Sequence, residues 1–191
     1  MNYDIKYLHE YQIISIQNFE YVNLQQRILI NDSIEKNYLK HPLSKGNTDG
    51  GYNFPIVNDE TLFFSNLYEK YKALCYELFG NFHITSQNKT TCWCYRSNIN
   101  DSNNIWHNHI YTSTINGVYY YQLEGDGIIF ERDGKEFHHV PQQGELVIFP
   151  NHLFHRPCVA NSTRNRYSIN MEILTQQSAH ELFKNYEQRI H

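Results

Sequence analysis

From residue 90 to residue 174 the chain keeps returning to one pattern. "TTCWCYRS", "STINGVYYYQ", "GIIFER", "GELVIFP" and "RYSINMEIL" are short, rich in β-branched and aromatic residues, and separated by Gly, Asn, Asp and Pro. Segments of this kind, roughly 10–20 residues apart, suit an antiparallel sandwich, a jelly roll or a related barrel. The expectation is a mainly β protein with a jelly-roll core and helices packed on one side.

Residues 1–90 are mixed. "YDIKYLHEYQIISIQNF" has room for one or two strands, and "LQQRILINDSIEKNYLK" reads as a helix interrupted near Asn31-Asp32. A turn-rich loop, "HPLSKGNTDGGYNFP", covers 41–55, and loops of that length are often functional, so a lid is one reading and ordinary surface another. Asp59 is a candidate N-cap. In "ETLFFSNLYEKYKALCYELFG", Leu62, Phe63, Leu67, Tyr71, Leu74, Cys75 and Leu78 fall near helical spacing, with Gly80 placed as a C-cap. A last short helix is expected in "SAHELFKNYEQRIH". Residues 1–191 are read as a single domain, with mixed support over 1–90, the core over 91–174 and the helix over 175–191.

At 191 residues the chain can bury one real core, and 40% apolar with 19% charged residues marks a folded protein. The net charge of −4 and the lack of a Lys/Arg cluster speak against tight binding to a nucleic-acid backbone. There is no apolar run of the ~20 residues that span a bilayer, and no signal-peptide layout. A soluble, cytoplasmic protein is expected, its thiols Cys75, Cys92, Cys94 and Cys158 reduced. Cys92-Trp-Cys94 is C-x-C, not the C-x-x-C of zinc or redox sites, and reads as core thiols on a strand.

The candidate chemistry lies in "IWHNHIY". If residues 106–110 are extended, His107 and His109 project to the same side. That suits two ligands on one metal, or two polar residues on the solvent face of an edge strand. Farther on, "PQQGELVIFPNHLFHRP" has a turn glycine (Gly144), an apolar strand, Pro150 and then His155, placed to reach back over the mouth of a sandwich. Arg166 and Ser168 share a face, and together they can hold a carboxylate. An arginine in an apolar sheet is costly unless it meets an anion; the other reading is a surface salt bridge. His138-His139, in an expected turn between strands, and His152 read as structural, with His152 also near enough to His155 to support it.

The order H-x-H, then G-x5-P-x4-H, then R-x-S resembles the Fe(II)/2-oxoglutarate-dependent oxygenases over residues 92–174. It is closest to a group of bacterial and phage members with an H-x-H motif, to which "KGNTDGGY" is also similar. The resemblance implies a double-stranded β-helix and Fe(II), with 2-oxoglutarate and O2 as co-substrates. It implies metal ligands at His107, His109 and His155, and a site for the far carboxylate of 2-oxoglutarate at Arg166, Ser168 and a tyrosine. Tyr120 is the match for that tyrosine, with Tyr119 and Tyr121 as rivals. Hydroxylation of a small-molecule or peptide substrate would follow.

One position departs from the family. Most members carry Asp or Glu two residues after the first histidine, where this chain has His109. His109 replaces the acid in the preferred reading. Alternatively His109 is the first histidine and Tyr111 stands in the acid slot, as in the halogenating branch, or a distant acid such as Asp101 folds in. Cupins, among them three-histidine dioxygenases that do not use 2-oxoglutarate, share H-x-H and a later histidine. They also want a glutamate soon after, which is absent here until Glu124, and they do not need Arg166. A non-catalytic β-sandwich binding module is the remaining alternative. Convergence of the three histidine rings separates enzyme from module.

Overall fold

A computed structural model describes residues 3–40, 51–52, 61–85, 92–99, 105–123 and 127–190. Among the described residues, ten strands form two antiparallel sheets, with three helices against the larger. The seven-stranded sheet runs β1 (Asp4–Leu8), β2 (Ile13–Gln17), β8 (Leu146–Pro150), β5 (Ile115–Gln122), β10 (Arg166–Ile173), β4 (Cys92–Ser97), β3 (Gly51–Tyr52). The three-stranded sheet is β7 (Lys135–His139), β6 (Ile128–Arg132), β9 (Phe154–Pro157). This is the expected class: mainly β, flanking helices, a jelly-roll core.

Period-two alternation sorts the side chains of the large sheet. On β10, Tyr167, Ile169, Met171 and Ile173 are buried in one core cluster with Ile14, Ile16, Tyr119, Tyr121, Leu146 and Ile148. Helices α1 (Leu24–Lys40), α2 (Phe63–Phe79) and α3 (Ala179–Ile190) cover that face, α2 through Phe64, Leu67, Tyr71, Leu74 and Leu78, α3 through Leu182, Phe183 and Tyr186. A second, smaller cluster fills the space between the sheets: Tyr11, Ile13, Val118, Tyr120, Ile128, Phe130, Val147, Phe149 and Leu153. The two clusters together make the sandwich.

Helix ends follow their local chemistry. Asn23 and Gln26 exchange side-chain-to-backbone hydrogen bonds at the start of α1 (2.9 and 3.1 Å), and Ser178 and Glu181 do the same before α3 (3.3 and 2.9 Å). Gly80, at φ 79°, ends α2 with its N–H on Tyr76 O. The proposed N-cap at Asp59 lies outside the described residues, as do 41–50 and 53–55 of the turn-rich loop. Gly51-Tyr52 within that loop pairs with β4.

Three expectations need correction. Helix α1 is unbroken through Asn31-Asp32. These residues cost little inside a helix, and Ile30 and Ile34, one turn apart, are both buried in the core. His138 and His139 lie on strand β7 and not in a turn. His139 donates from Nε2 to Glu145 Oε1 at 2.6 Å, and Glu145 also accepts from Ser15 Oγ and the Gln142 N–H, each at 2.8 Å. Burial would raise the Glu145 carboxyl, but these hydrogen bonds hold it below the usual carboxylate value. The third correction concerns "IWHNHIY", which forms no regular strand and meets the smaller sheet through a single bridge from His107 to His155 on β9. Among the described residues, no helix is long and apolar enough to cross a membrane.

Candidate metal centre

His107 and His155 are 48 residues apart in sequence and are bound to each other through the backbone. The N–H of each donates to the carbonyl of the other at 3.0 Å. His109 N–H reaches Asn151 O at 2.8 Å, which fixes the H-x-H segment to the turn between β8 and β9. The geometry brings the three rings together: one nitrogen from each of His107, His109 and His155 lies within 4.8 Å of the others. They converge, as an enzyme requires and a module with scattered surface histidines would not.

Each ring is held from behind at Nδ1. His107 Nδ1 lies 3.0 Å from Ile105 O, and His155 Nδ1 lies 3.0 Å from Leu153 O, in both cases the carbonyl two residues earlier. His109 Nδ1 lies 2.6 Å from Glu172 Oε1. Carbonyls and carboxylates only accept, so each Nδ1 donates, and in a neutral ring that leaves Nε2 as the acceptor. The Nε2 atoms of His109 and His155 lie 3.3 Å apart. At that separation the two nitrogens can share a proton or flank a metal ion. This donor set fits a divalent transition metal, which takes neutral imidazole through one nitrogen while the other is held by a hydrogen bond.

His155, 5% exposed, is fixed further by the rings of Phe149 and Phe130, at 4.7 and 6.1 Å. Burial pushes its pKa well below the usual histidine value, and His107 and His109 push it the same way. The ring is thereby kept neutral, the form that binds a metal. Arg156 stacks over Trp106 at 4.7 Å, on the residues flanking the two bridged histidines. His152 lies apart from the triad, its pKa lowered by burial and by the charges of Arg132 and His180.

Beside the triad is a cavity of about 110 Å³ whose lining includes Trp93, Tyr95, Tyr120, Arg166, Ser168 and Asn170. Registry places these residues. Ser168 pairs with Tyr95 on one side and Tyr120 on the other, and Asn170 pairs with Trp93 and Val118. Arg166, 2% exposed, donates from Nε to Ser97 Oγ at 3.0 Å and from Nη1 to Cys158 O at 3.2 Å. Those two bonds aim its fork along the cavity wall, and it is not a surface salt bridge. Tyr119 and Tyr121 point the other way, donating to Glu20 O and Arg27 O beneath the helices. Of the three tyrosines, Tyr120 alone lines the cavity.

Sequence reasoning missed Glu172. The signal was present in β10, where Arg166, Ser168, Asn170 and Glu172 put polar groups at every second position of a strand whose other residues are apolar. Tyr111 is 93% exposed and stands away from the triad as a ligand candidate; Asp101 and Glu124 lie outside the described residues. All four cysteines are free, with Cys75, Cys92 and Cys94 buried as expected.

No family model matches the sequence. A 40-residue stretch is 45% identical to 3-hydroxyanthranilate 3,4-dioxygenase of Jannaschia sp. (strain CCS1), covering 20% of this chain and only 22% of that protein. Similarity to solved structures extends much farther. A prolyl-4-hydroxylase from Pseudomonas putida aligns over 89% of this chain and 96% of its own, with TM-score 0.57 and 15% identity. An oxygenase structure from Shewanella oneidensis aligns over 95% of this chain and 89% of its own, with TM-score 0.55 and 13% identity. The chain therefore has the fold of these two oxygenases, a jelly roll that here gathers three histidines beside an arginine-lined cavity.

Proposed function

We propose that the protein is a non-haem iron oxygenase of the Fe(II)/2-oxoglutarate-dependent kind, a hydroxylase acting on a small molecule or peptide. The observation that carries this reading is the convergence of three histidines, each held at Nδ1, next to a buried arginine aimed into one small cavity. In this reading His107, His109 and His155 hold Fe(II) through Nε2. Arg166, Ser168 and Tyr120 receive the far carboxylate of 2-oxoglutarate, the arginine through its planar fork. Bound there, Fe(II) with 2-oxoglutarate and O2 supplies the oxidation: the keto acid becomes succinate and CO2, one oxygen atom enters succinate, and the other enters a C–H bond of the substrate.

The chain's own part is binding, orientation and exclusion of water. Trp93, Val118 and Ile128 give the cavity apolar walls. Ser97 and Cys158 O keep the guanidinium from swinging out. No side chain acts as general base, because hydrogen leaves the substrate as part of the oxidation.

Anaerobic titration with Fe(II) and 2-oxoglutarate tests the reading. A metal-to-ligand charge-transfer band is expected only when both are present, and it should vanish in Arg166→Ala. A second reading, a three-histidine dioxygenase that does not use 2-oxoglutarate, draws on the short match to a dioxygenase and on the lack of an acid in the H-x-H motif. Iron uptake with no band on adding 2-oxoglutarate would favour it. No iron uptake would remove both.

A further inference from the structure

His109 occupies the slot where the resembled oxygenases place a carboxylate, and it is also the histidine with a carboxylate directly behind it. His107 and His155 lean on neutral backbone carbonyls, those of Ile105 and Leu153. His109 leans on Glu172 at 2.6 Å, with the two side chains only 16% and 13% exposed. Thr112 Oγ1 donates to the same Glu172 oxygen at 3.2 Å and lies 3.5 Å from His109 Nδ1. The Thr112 and Ser113 N–H groups both close back on His109 O at 3.0 Å. The loop carrying the imidazole and the strand carrying the carboxylate are thus joined.

We propose that Glu172 is the outer carboxylate of the metal centre: it positions His109 and restores, one imidazole farther out, the negative charge that the H-x-H motif omits. The inference rests on the metal-site reading above. Its physical basis is general. A carboxylate accepting from Nδ1–H fixes the tautomer that leaves Nε2 for the metal, holds the ring plane and makes the ring a stronger donor. The same charge lies in a partly buried setting, where it is screened less than on the surface. Strand pairing keeps Glu172 opposite Asn116 on β5, so its backbone is rigid and the contact does not depend on a mobile loop.

The test uses the full metal-free chain with Co(II) as the probe, read by its visible absorption, for wild type, Glu172→Gln and Glu172→Ala. Gln keeps the shape and an acceptor but loses the charge; Ala loses both. The expected result is a loss of Co(II) affinity of about 10–100-fold in Ala and a smaller loss in Gln, with wild-type circular dichroism. Nitrogen-15 shifts of His109 in the metal-free protein should report Nδ1–H in wild type and a tautomer mixture in Ala. A wild type protonated at Nε2, or two variants that bind Co(II) as wild type does, would overturn the inference while leaving the metal centre standing. A wild type that takes up no Co(II) removes the centre and the inference with it. If Glu172→Ala fails to fold, Glu172→Gln decides on affinity alone: weakened binding supports the proposal and unchanged binding overturns it.

Discussion

Strand β10 presents Tyr167, Ile169, Met171 and Ile173 to the helices, and Arg166, Ser168, Asn170 and Glu172 to the cavity side. The neighbouring strands divide the same way. Cys92, Cys94, Tyr119 and Tyr121 pack under the helices, whereas Trp93, Tyr95 and Tyr120 look into the cavity. One face is a close-packed apolar layer sealed by α1, α2 and α3. The other is apolar toward Phe130 and Phe149 and polar toward Arg166 and the histidines. The difference teaches that one strand can carry stability and chemistry on alternate residues, so a substitution on one face should leave the other largely untouched.

The largest effect is expected on the helix face. Phe183→Ala should cost about 3–5 kcal/mol, as truncation of a fully buried aromatic does, and thermal melting measures it. The Co(II) affinity of the folded remainder should stay at the wild-type value; a parallel fall would break the separation of the faces. His155→Ala should do the reverse, cutting Co(II) affinity by more than about 100-fold, beyond the usual loss of an outer partner, with a smaller drop in melting temperature than the Phe183 variant. Next comes Gly117→Ala. A Cβ there would lie 2.5 Å from Tyr71 Cε2 under α2, so about 1–3 kcal/mol of overpacking is expected, visible as a lower urea midpoint.

Two adjacent tyrosines sharpen the contrast. Tyr119→Phe gives up the hydrogen bond to Glu20 O and should lose about 1 kcal/mol of stability with 2-oxoglutarate affinity unchanged. Tyr120→Phe should weaken 2-oxoglutarate binding and leave the melting temperature alone. If both act on stability only, Tyr120 is not part of the co-substrate site. The smallest effect concerns Glu145. Its folded value lies below the ordinary 4.5, so its contribution is full above that pH and is lost as pH falls through the lowered value. The gap in melting temperature between wild type and Glu145→Gln should therefore close on acidification and stay constant through neutral pH.

The strands of the second half were legible because each is a short run of β-formers between turn residues, and α2 because its apolar residues keep helical spacing. The paired faces of β10 could be read from R-x-S alone as far as Arg166 and Ser168. The same alternation puts Glu172 on that face, but its partner could not be read, because His109 is 63 positions upstream. The N-terminal hairpin was visible as strands, but not as part of the large sheet: its partner β8 begins at Leu146, and nothing in "IISIQ" names that partner. The choice among Tyr119, Tyr120 and Tyr121 depends on strand phase. A run of three like residues hides the phase until the register with Ser168 is known.

Strand β10 lies between β5 and β4 at the heart of the large sheet, yet among the described residues it is the last strand in sequence order. During synthesis, β4 and β5 emerge with no central strand to join them, and their apolar faces must wait for residues 166–173. Closure of the large sheet is therefore expected to come late in folding and to depend on long-range pairing. Because β10 also carries Arg166, Ser168 and Glu172, the nascent chain cannot display a finished pocket before the sheet itself closes. A ribosome stalled before residue 166 would hold β1, β2, β8 and β5 with the cluster around Phe130 and Phe149, but without Arg166, Ser168 or Glu172 and so without a site.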